Sequence, residues 1–217
     1  MTVIIINPNS TTSMTEAMLA QARRSAPNLL FEGWTSHKGP ASIQGSEDGE
    51  AATPPLLELV DQASRSGAHG IIIGCFDDTA LEDAAERAAC PVIGIGQASY
   101  HYAALRNWRF SVVTTLSVSV PIIETNIERL GLAAYLAKVR ASEVPVLGLK
   151  ADPGKAGAVI SAEAMRAEAE DGVSAVILGC AGMVDVFESV KTALNVETID
   201  PVACAAGCMN WHIQGRA

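Results

Sequence analysis

Two stretches constrain this chain more than any others. Ile71-Ile72-Ile73-Gly74-Cys75 and Val176-Ile177-Leu178-Gly179-Cys180 are unbroken apolar runs closed by Gly-Cys, and their cysteines stand 105 positions apart. A short uninterrupted run of this kind reads as a strand buried on both faces, the mark of a parallel sheet covered by helices. Residues 2–6, 29–34 and 92–95 supply three further strands in the first half, and 110–113, 138–141 and 196–199 three in the second. Helical patterns fall between them. Ser13-x-x-Glu16 forms a capping-box pattern, Thr53 with Pro54 opens a helix whose stop is Gly67, and Thr79-x-x-Glu82 caps another. In the second half, residues 118–130 form a helix stopped by Gly131, with further helices at 160–170, 184–194 and from about 202. The strands beginning at 92 and 196 are 104 positions apart, so the halves match in topology although their residues differ.

This pattern predicts an α/β fold of two pseudo-symmetric lobes, each a mostly parallel four-stranded sheet flanked by helices. Residues 1–96 plus 203–217 make the first lobe and residues 97–202 the second. The C-terminal ends of the strands then face a shared cleft, where ligands of open α/β sheets bind. Composition narrows the function classes. Hydrophobic residues are 49% of the 217 and charged residues 18%, enough apolar material for a core. A net charge of −9 repels nucleic acid, and aromatics at 5% leave little for base stacking. No apolar run reaches the roughly 20 residues of a membrane span. Met1-Thr2-Val3-Ile4-Ile5-Ile6-Asn7-Pro8 lacks a positive n-region and does not read as a signal peptide. Five cysteines are too few, and odd in number, for a disulfide scaffold. A soluble cytoplasmic protein with free thiols is expected.

The two thiols that follow the Gly residues carry the chemistry. A lone free cysteine is ordinarily an inert buried hydrophobe. Cys75 and Cys180, however, occupy equivalent strand ends in two matching halves, where backbone N–H groups and a helix dipole can lower a thiol pKa. Two thiols facing across a cleft suit one reaction: one removes a proton from carbon while the other supplies a proton to the opposite face. Asn7, in Asn7-Pro8-Asn9-Ser10-Thr11, stands where its amide could meet a ligand or simply shape a turn. Thr114 and Thr115 end the corresponding strand of the second half and could bind a polar ligand or cap a helix. Carboxylates raise a neighbouring thiol's pKa, so Asp77 and Asp78 are expected to point away from the sulfur, leaving backbone N–H groups of Phe76 and Asp77 toward the ligand. Ala181 and Gly182 allow close approach on the other side. Cys204 and Cys208 read as packed helix thiols, and Cys90 as a helix-end residue. The four histidines have no metal-ligand spacing, Gly94-Ile95-Gly96 lacks the third glycine of a dinucleotide fingerprint, and there is no phosphate-binding loop. Neither a metal nor a cofactor is expected.

At these residues the chain resembles the aspartate/glutamate/hydantoin racemase superfamily, and within it the hydantoin and allantoin racemase branch. The resemblance spans nearly the whole chain. It rests on Asn7-Pro8-Asn9-Ser10-Thr11, Gly39-Pro40-Ala41-Ser42-Ile43, Gly74-Cys75-Phe76-Asp77-Asp78-Thr79, Phe110-Ser111-Val112-Val113-Thr114-Thr115 and Leu178-Gly179-Cys180-Ala181-Gly182-Met183. It implies cofactor-independent racemisation in the cleft between the lobes, with Cys75 and Cys180 as the acid/base pair. Asn7, Ile43, Thr114, Thr115 and the segments around Phe76, Asp77, Ala181 and Gly182 would hold a cyclic ureide, either a 5-substituted hydantoin or allantoin. A homo-oligomer is also implied. Gln44 and Gln97 stand where similar members often carry Glu. The alternatives are an amino-acid racemase of aspartate/glutamate type, a maleate isomerase or malonate decarboxylase, and a non-catalytic small-molecule binding protein.

Overall fold

Val3, Ile4, Ile5 and Ile6 are fully buried because their strand is covered on both faces. In the computed structural model, which describes residues 1–215, that strand is β1 (Thr2–Asn7), interior to a sheet with β2 (Leu30–Thr35), β3 (Gly70–Ile73) and β4 (Val92–Gly94). Its order is β2-β1-β3-β4, with every pair parallel. The second half repeats the arrangement with β5 (Phe110–Thr114), β6 (Leu136–Ala141), β7 (Ala175–Gly179) and β8 (Glu197–Ile199), in the order β6-β5-β7-β8. The predicted fold class is therefore the observed one. Residues 216 and 217, the end of the stretch assigned to the first lobe, lie outside the described residues.

Helices α1 (Thr12–Ser25), α2 (Ser46–Arg65), α3 (Leu81–Arg87) and α4 (Ile95–Leu105) belong to the first half of the chain. Helices α5 (Val120–Arg129), α6 (Gly148–Ala151), α7 (Pro153–Glu170), α8 (Phe187–Ala193) and α9 (Pro201–Gln214) belong to the second. Alternation along the strands sorts their side chains between inner and outer cores. Ile72 and Ile5 of the first sheet and Phe110, Val112 and Ile177 of the second share one inner core with Tyr100 of α4 and Val202, Ala205 and Met209 of α9. Ile71 and Ile73 point outward onto Leu56 and Val60 of α2. Val176 and Leu178 do the same toward Ile160 and Ala164 of α7 and Val190 of α8. Each fully buried Ile or Leu contributes roughly 1.5–3 kcal/mol relative to exposure. A division of the chain between residues 96 and 97 passes through the first turn of α4, which packs on α9 beside that inner core. No helix among the described residues is long and apolar enough to cross a membrane.

Three helix starts differ from their sequence signals. Helix α2 begins at Ser46, seven residues before Thr53, and carries Pro54 and Pro55 in its interior. The two carbonyls thereby left without an intrahelical donor belong to the exposed residues Glu50 and Ala51. The Ser13/Glu16 capping box does not form: α1 starts at Thr12, and the Thr11 hydroxyl donates to the Ala41 carbonyl at 2.7 Å. Thr79 caps nothing either, since the residue before α3 is Ala80 and the Thr79 hydroxyl is engaged elsewhere. Ile95, predicted as the end of a strand, opens α4, a helix absent from the sequence reading.

Candidate active site

Because β3 and β7 hold the same place in their sheets, the loops that follow them converge. Cys75 and Cys180 open onto one small cavity together with Asn9, Met14, Ile43, Phe76, Asp77, Thr114, Thr115, Ser119, Val146, Ala181 and Gly182. Its volume is about 30 Å³, room for about one water molecule. Two loops reach it, residues 36–45 from the first half through Ile43 and residues 142–147 from the second through Val146. The Gln44 side-chain oxygen joins them by accepting the Val146 N–H at 3.1 Å. Of the predicted site residues, Cys75, Cys180, Ile43, Phe76, Asp77, Thr114, Thr115, Ala181 and Gly182 all line this cavity.

Asn7 does not. Its side chain is fully buried at the end of β1, where the amide donates to Asn9 Oδ1, the Thr11 carbonyl and Thr15 Oγ1 at 3.0–3.2 Å. Its Oδ1 accepts the Asn9 N–H. An amide so fully partnered is a turn builder, and the residue it positions, Asn9, is the one that reaches the cavity. Thr114 shows a related division of labour. Its hydroxyl donates to the Gly179 carbonyl at 3.0 Å, tying β5 to the strand end that carries Cys180. Sequence reasoning missed Asn9, Met14, Ser119 and Val146 as lining residues. Asn9 alone had a local signal, standing within the motif already singled out.

The Thr79 hydroxyl donates to Cys75 Sγ at 3.3 Å, and the backbone N–H groups of Asp77 beside Cys75 and of Gly182 and Met183 beside Cys180 act on the sulfurs in the same sense. Such donors favour a thiolate. Burial opposes them and is the larger effect, pushing the Cys75 thiol well up and the Cys180 thiol up to about 12. The Asp77 carboxylate adds to the rise at both sulfurs. Asp77 therefore lies near the thiols, contrary to the expectation that it points away. What holds it there is the second half of the chain: Ser119 Oγ donates to its carboxylate at 3.3 Å, and the Asn126 amide to its carbonyl at 2.9 Å.

Asp78 behaves as expected for a carboxylate at a helix N-terminus, but the helix is α4. It accepts the N–H groups of Gly96 and Gln97 at 3.0 and 2.7 Å. Burial nonetheless pushes its carboxyl up to about 8. Asp78 and Ala80 have φ of 49° and 51°, left-handed values uncommon outside glycine. Gln97, like Gln44, uses its side-chain oxygen as an acceptor, here of the Gly94 N–H at 3.4 Å. A Glu could fill either role. Neither glutamine lines the cavity.

The contact between the Cys75 loop and α4 requires Gly96. A Cβ there would stand 2.4 Å from the Phe76 carbonyl oxygen and 2.8 Å from Asp78 Oδ2. Gly96→Ala is expected to lower kcat/KM at least tenfold and to destabilise by about 1–3 kcal/mol through overpacking, more than the ~1 kcal/mol alanine gains in helix propensity. Steady-state kinetics and a thermal melt check this. Unchanged kinetics would show that the loop is not positioned by this contact.

Comparison with known proteins agrees with this construction. A family model described as Asp/Glu/Hydantoin racemase matches residues 3–209. A hydantoin racemase of Rhizobium meliloti is 42% identical over 212 residues, which span 94% of this chain and 86% of that protein. The solved allantoin racemase from Klebsiella pneumoniae superposes with a TM-score of 0.94 at 32% identity, covering 99% of this chain and 88% of that one. The allantoin racemase from Pseudomonas fluorescens does so at 0.94 and 30%, covering 100% and 92%. A glutamate racemase from Francisella tularensis, 16% identical, shares the fold at a TM-score of 0.71. The chain belongs to the Asp/Glu/hydantoin racemase family and, within it, to the hydantoin and allantoin racemase branch, whose members are isomerases.

Proposed function

We propose that this protein racemises 5-substituted hydantoins or the related ureide allantoin at C5, by proton transfer between Cys75 and Cys180. The observation that carries this reading is the pair of sulfurs at equivalent strand ends of two matching half-folds, opening onto one cavity. A ureide ring is larger than one water, so the loops that carry Ile43 and Val146 move apart to admit it. Inside, one thiolate removes the C5 proton and the opposite thiol returns a proton to the other face. The enolate formed in between is stabilised by donors aimed at the ring carbonyl, the role of an oxyanion hole. The backbone around Phe76, Asp77, Ala181 and Gly182 is assigned to that task. For the opposite enantiomer the sulfurs exchange roles, and no cofactor is needed.

Charge separates this substrate class from the amino-acid alternative. Asp77 is the only charged side chain among the described residues lining the cavity, and no cation faces it there. Asp77 would pair with an amino acid's α-ammonium, but its α-carboxylate would find no cation in this lining, whereas a neutral cyclic imide needs none. NMR of each enantiomer of a 5-substituted hydantoin and of allantoin in deuterated water tests the proposal. Loss of the C5 proton signal together with loss of optical rotation, faster than without protein, is expected. If no ureide reacts, the proposed activity is wrong. Ligand binding that survives loss of both thiols, with no catalysed exchange, would identify a binding protein instead.

A further inference from the structure

A two-thiol racemase turns over only from a state with one thiolate and one thiol. Here both thiols are pushed up by burial, and no cation among the described residues lines the cavity to favour an anionic sulfur. The site therefore needs a group that can take a thiol proton without adding charge. Asp77 occupies the place where such a group must be. It lines the cavity with both sulfurs, and its carboxylate and carbonyl are held from across the cleft by Ser119 and Asn126. The other titratable groups around it are Cys75 and Asp78 on its own loop, Tyr100 on α4 and Cys180 from the second half. Arg129 of α5 lies in the adjoining cleft and is paired with Glu82.

Resting on the two-cysteine reading, we propose that the Asp77 carboxyl stores the proton that arms either thiol. The resting site holds an Asp77 carboxylate beside two thiols. When substrate closes the cavity, one S–H bond breaks and an O–H bond forms at Asp77, leaving a neutral carboxylic acid, one thiolate and one thiol. Net charge stays at −1 throughout. The thiolate takes the C5 proton, the opposite thiol protonates the other face, and the thiolate is left on the opposite sulfur. Asp77 then protonates that sulfur, and the resting state returns without an external acid or base. One carboxyl placed near both sulfurs serves both directions of the reaction. Carboxylic acids kept neutral by dry surroundings are an established catalytic device.

Burial pushes the Asp77 carboxyl up to about 6, against the Ser119 hydrogen bond, which lowers it. The carboxylate form must be present before turnover, so wild-type kcat/KM is expected to fall tenfold per unit below about pH 6 and to be flat above it. Asp77→Asn in the full chain keeps the shape and cannot take the proton. Its kcat at pH 7 is expected to fall about 100-fold, with KM changed little, and to climb about tenfold per pH unit toward alkaline values. Simple charge repulsion makes the opposite prediction: removing the carboxylate lets the thiols ionise more easily and activity rises. Activity equal to or above wild type at pH 7, an unchanged pH profile, or a rise in KM alone would overturn the proposal. Should Asp77→Asn not fold, Ser119→Ala removes the hydroxyl donor and must move the acid limb to higher pH; an unmoved limb overturns it equally. Cys75→Ala and Cys180→Ala run in parallel separate the two failures. If both retain turnover, the two-cysteine reading falls. If both lose it while Asp77→Asn behaves as wild type, only the role of Asp77 falls.

Discussion

Cys75→Ser and Cys180→Ser are each expected to lower racemisation of both enantiomers by at least 10³-fold, within the range a positioned acid or base supplies. Serine fits the space left by the thiol, so the fold is preserved and the loss reports chemistry. Its hydroxyl is far less acidic than a thiol, and the donors that favour a thiolate here, Thr79 and Asp77 N–H on one side and Gly182 and Met183 N–H on the other, do not close that gap. Each variant keeps one working sulfur. That sulfur can still remove and return the C5 proton on its own face, so each variant is expected to exchange the C5 proton of one enantiomer with deuterium while retaining its configuration. The two variants should choose opposite enantiomers. Polarimetry and NMR in deuterated water read both effects. Near-normal racemisation by either variant would end the two-base proposal.

The largest expected stability effect lies away from the cleft. Arg140 on β6 is 7% exposed, and its guanidinium meets Asp171, Glu163 and Glu170, the last two on α7. Asp171 also accepts the Ser111 hydroxyl of β5 at 2.7 Å. Arg140→Ala leaves the poorly exposed Asp171 carboxylate without its cation and Glu163 with Arg166 alone, and is expected to destabilise by about 3 kcal/mol. Urea denaturation at pH 7 measures it. The pH dependence follows from Asp171, whose carboxyl Arg140 holds below the ordinary carboxylate range. A lowered native value contributes stability above the unfolded-state pKa of about 3.9, and that stability is lost as pH falls through the native value. The difference between wild type and Arg140→Ala should therefore be largest near neutrality and shrink in acid. A difference independent of pH between 7 and 3 would show that lost packing dominates.

The legible parts of this molecule were those written in contiguous residues. Strands such as Ile71-Ile72-Ile73 announce themselves because burial on both faces demands unbroken apolar runs. The Gly-Cys endings repeat at matching offsets, and strand order then brings them to one cavity. The illegible parts are those where one segment completes another far from it. The residue before helix α4, Gly94, has no capping side chain, and the helix's caps come from Asp78, 18 and 19 positions earlier than the N–H groups it accepts. Thr79 carries a cap pattern, yet its hydroxyl serves Cys75. Asn7 stands at a strand end suited to a ligand, yet its amide is consumed by Asn9, Thr11 and Thr15.

Sequence alone thus determined the α/β class, the doubling of the sheet and the two thiols at equivalent strand ends, because periodicity and strand polarity are local properties of the chain. Tertiary structure alone decided which polar groups face those thiols. Asp77 was expected to avoid the sulfurs on electrostatic grounds, and it lies near them because Ser119 and Asn126, from the other half, hold it there. Side-chain direction at a loop is set by the hydrogen-bond partners that packing brings within 3 Å or so, and those partners are dozens of residues away along the chain.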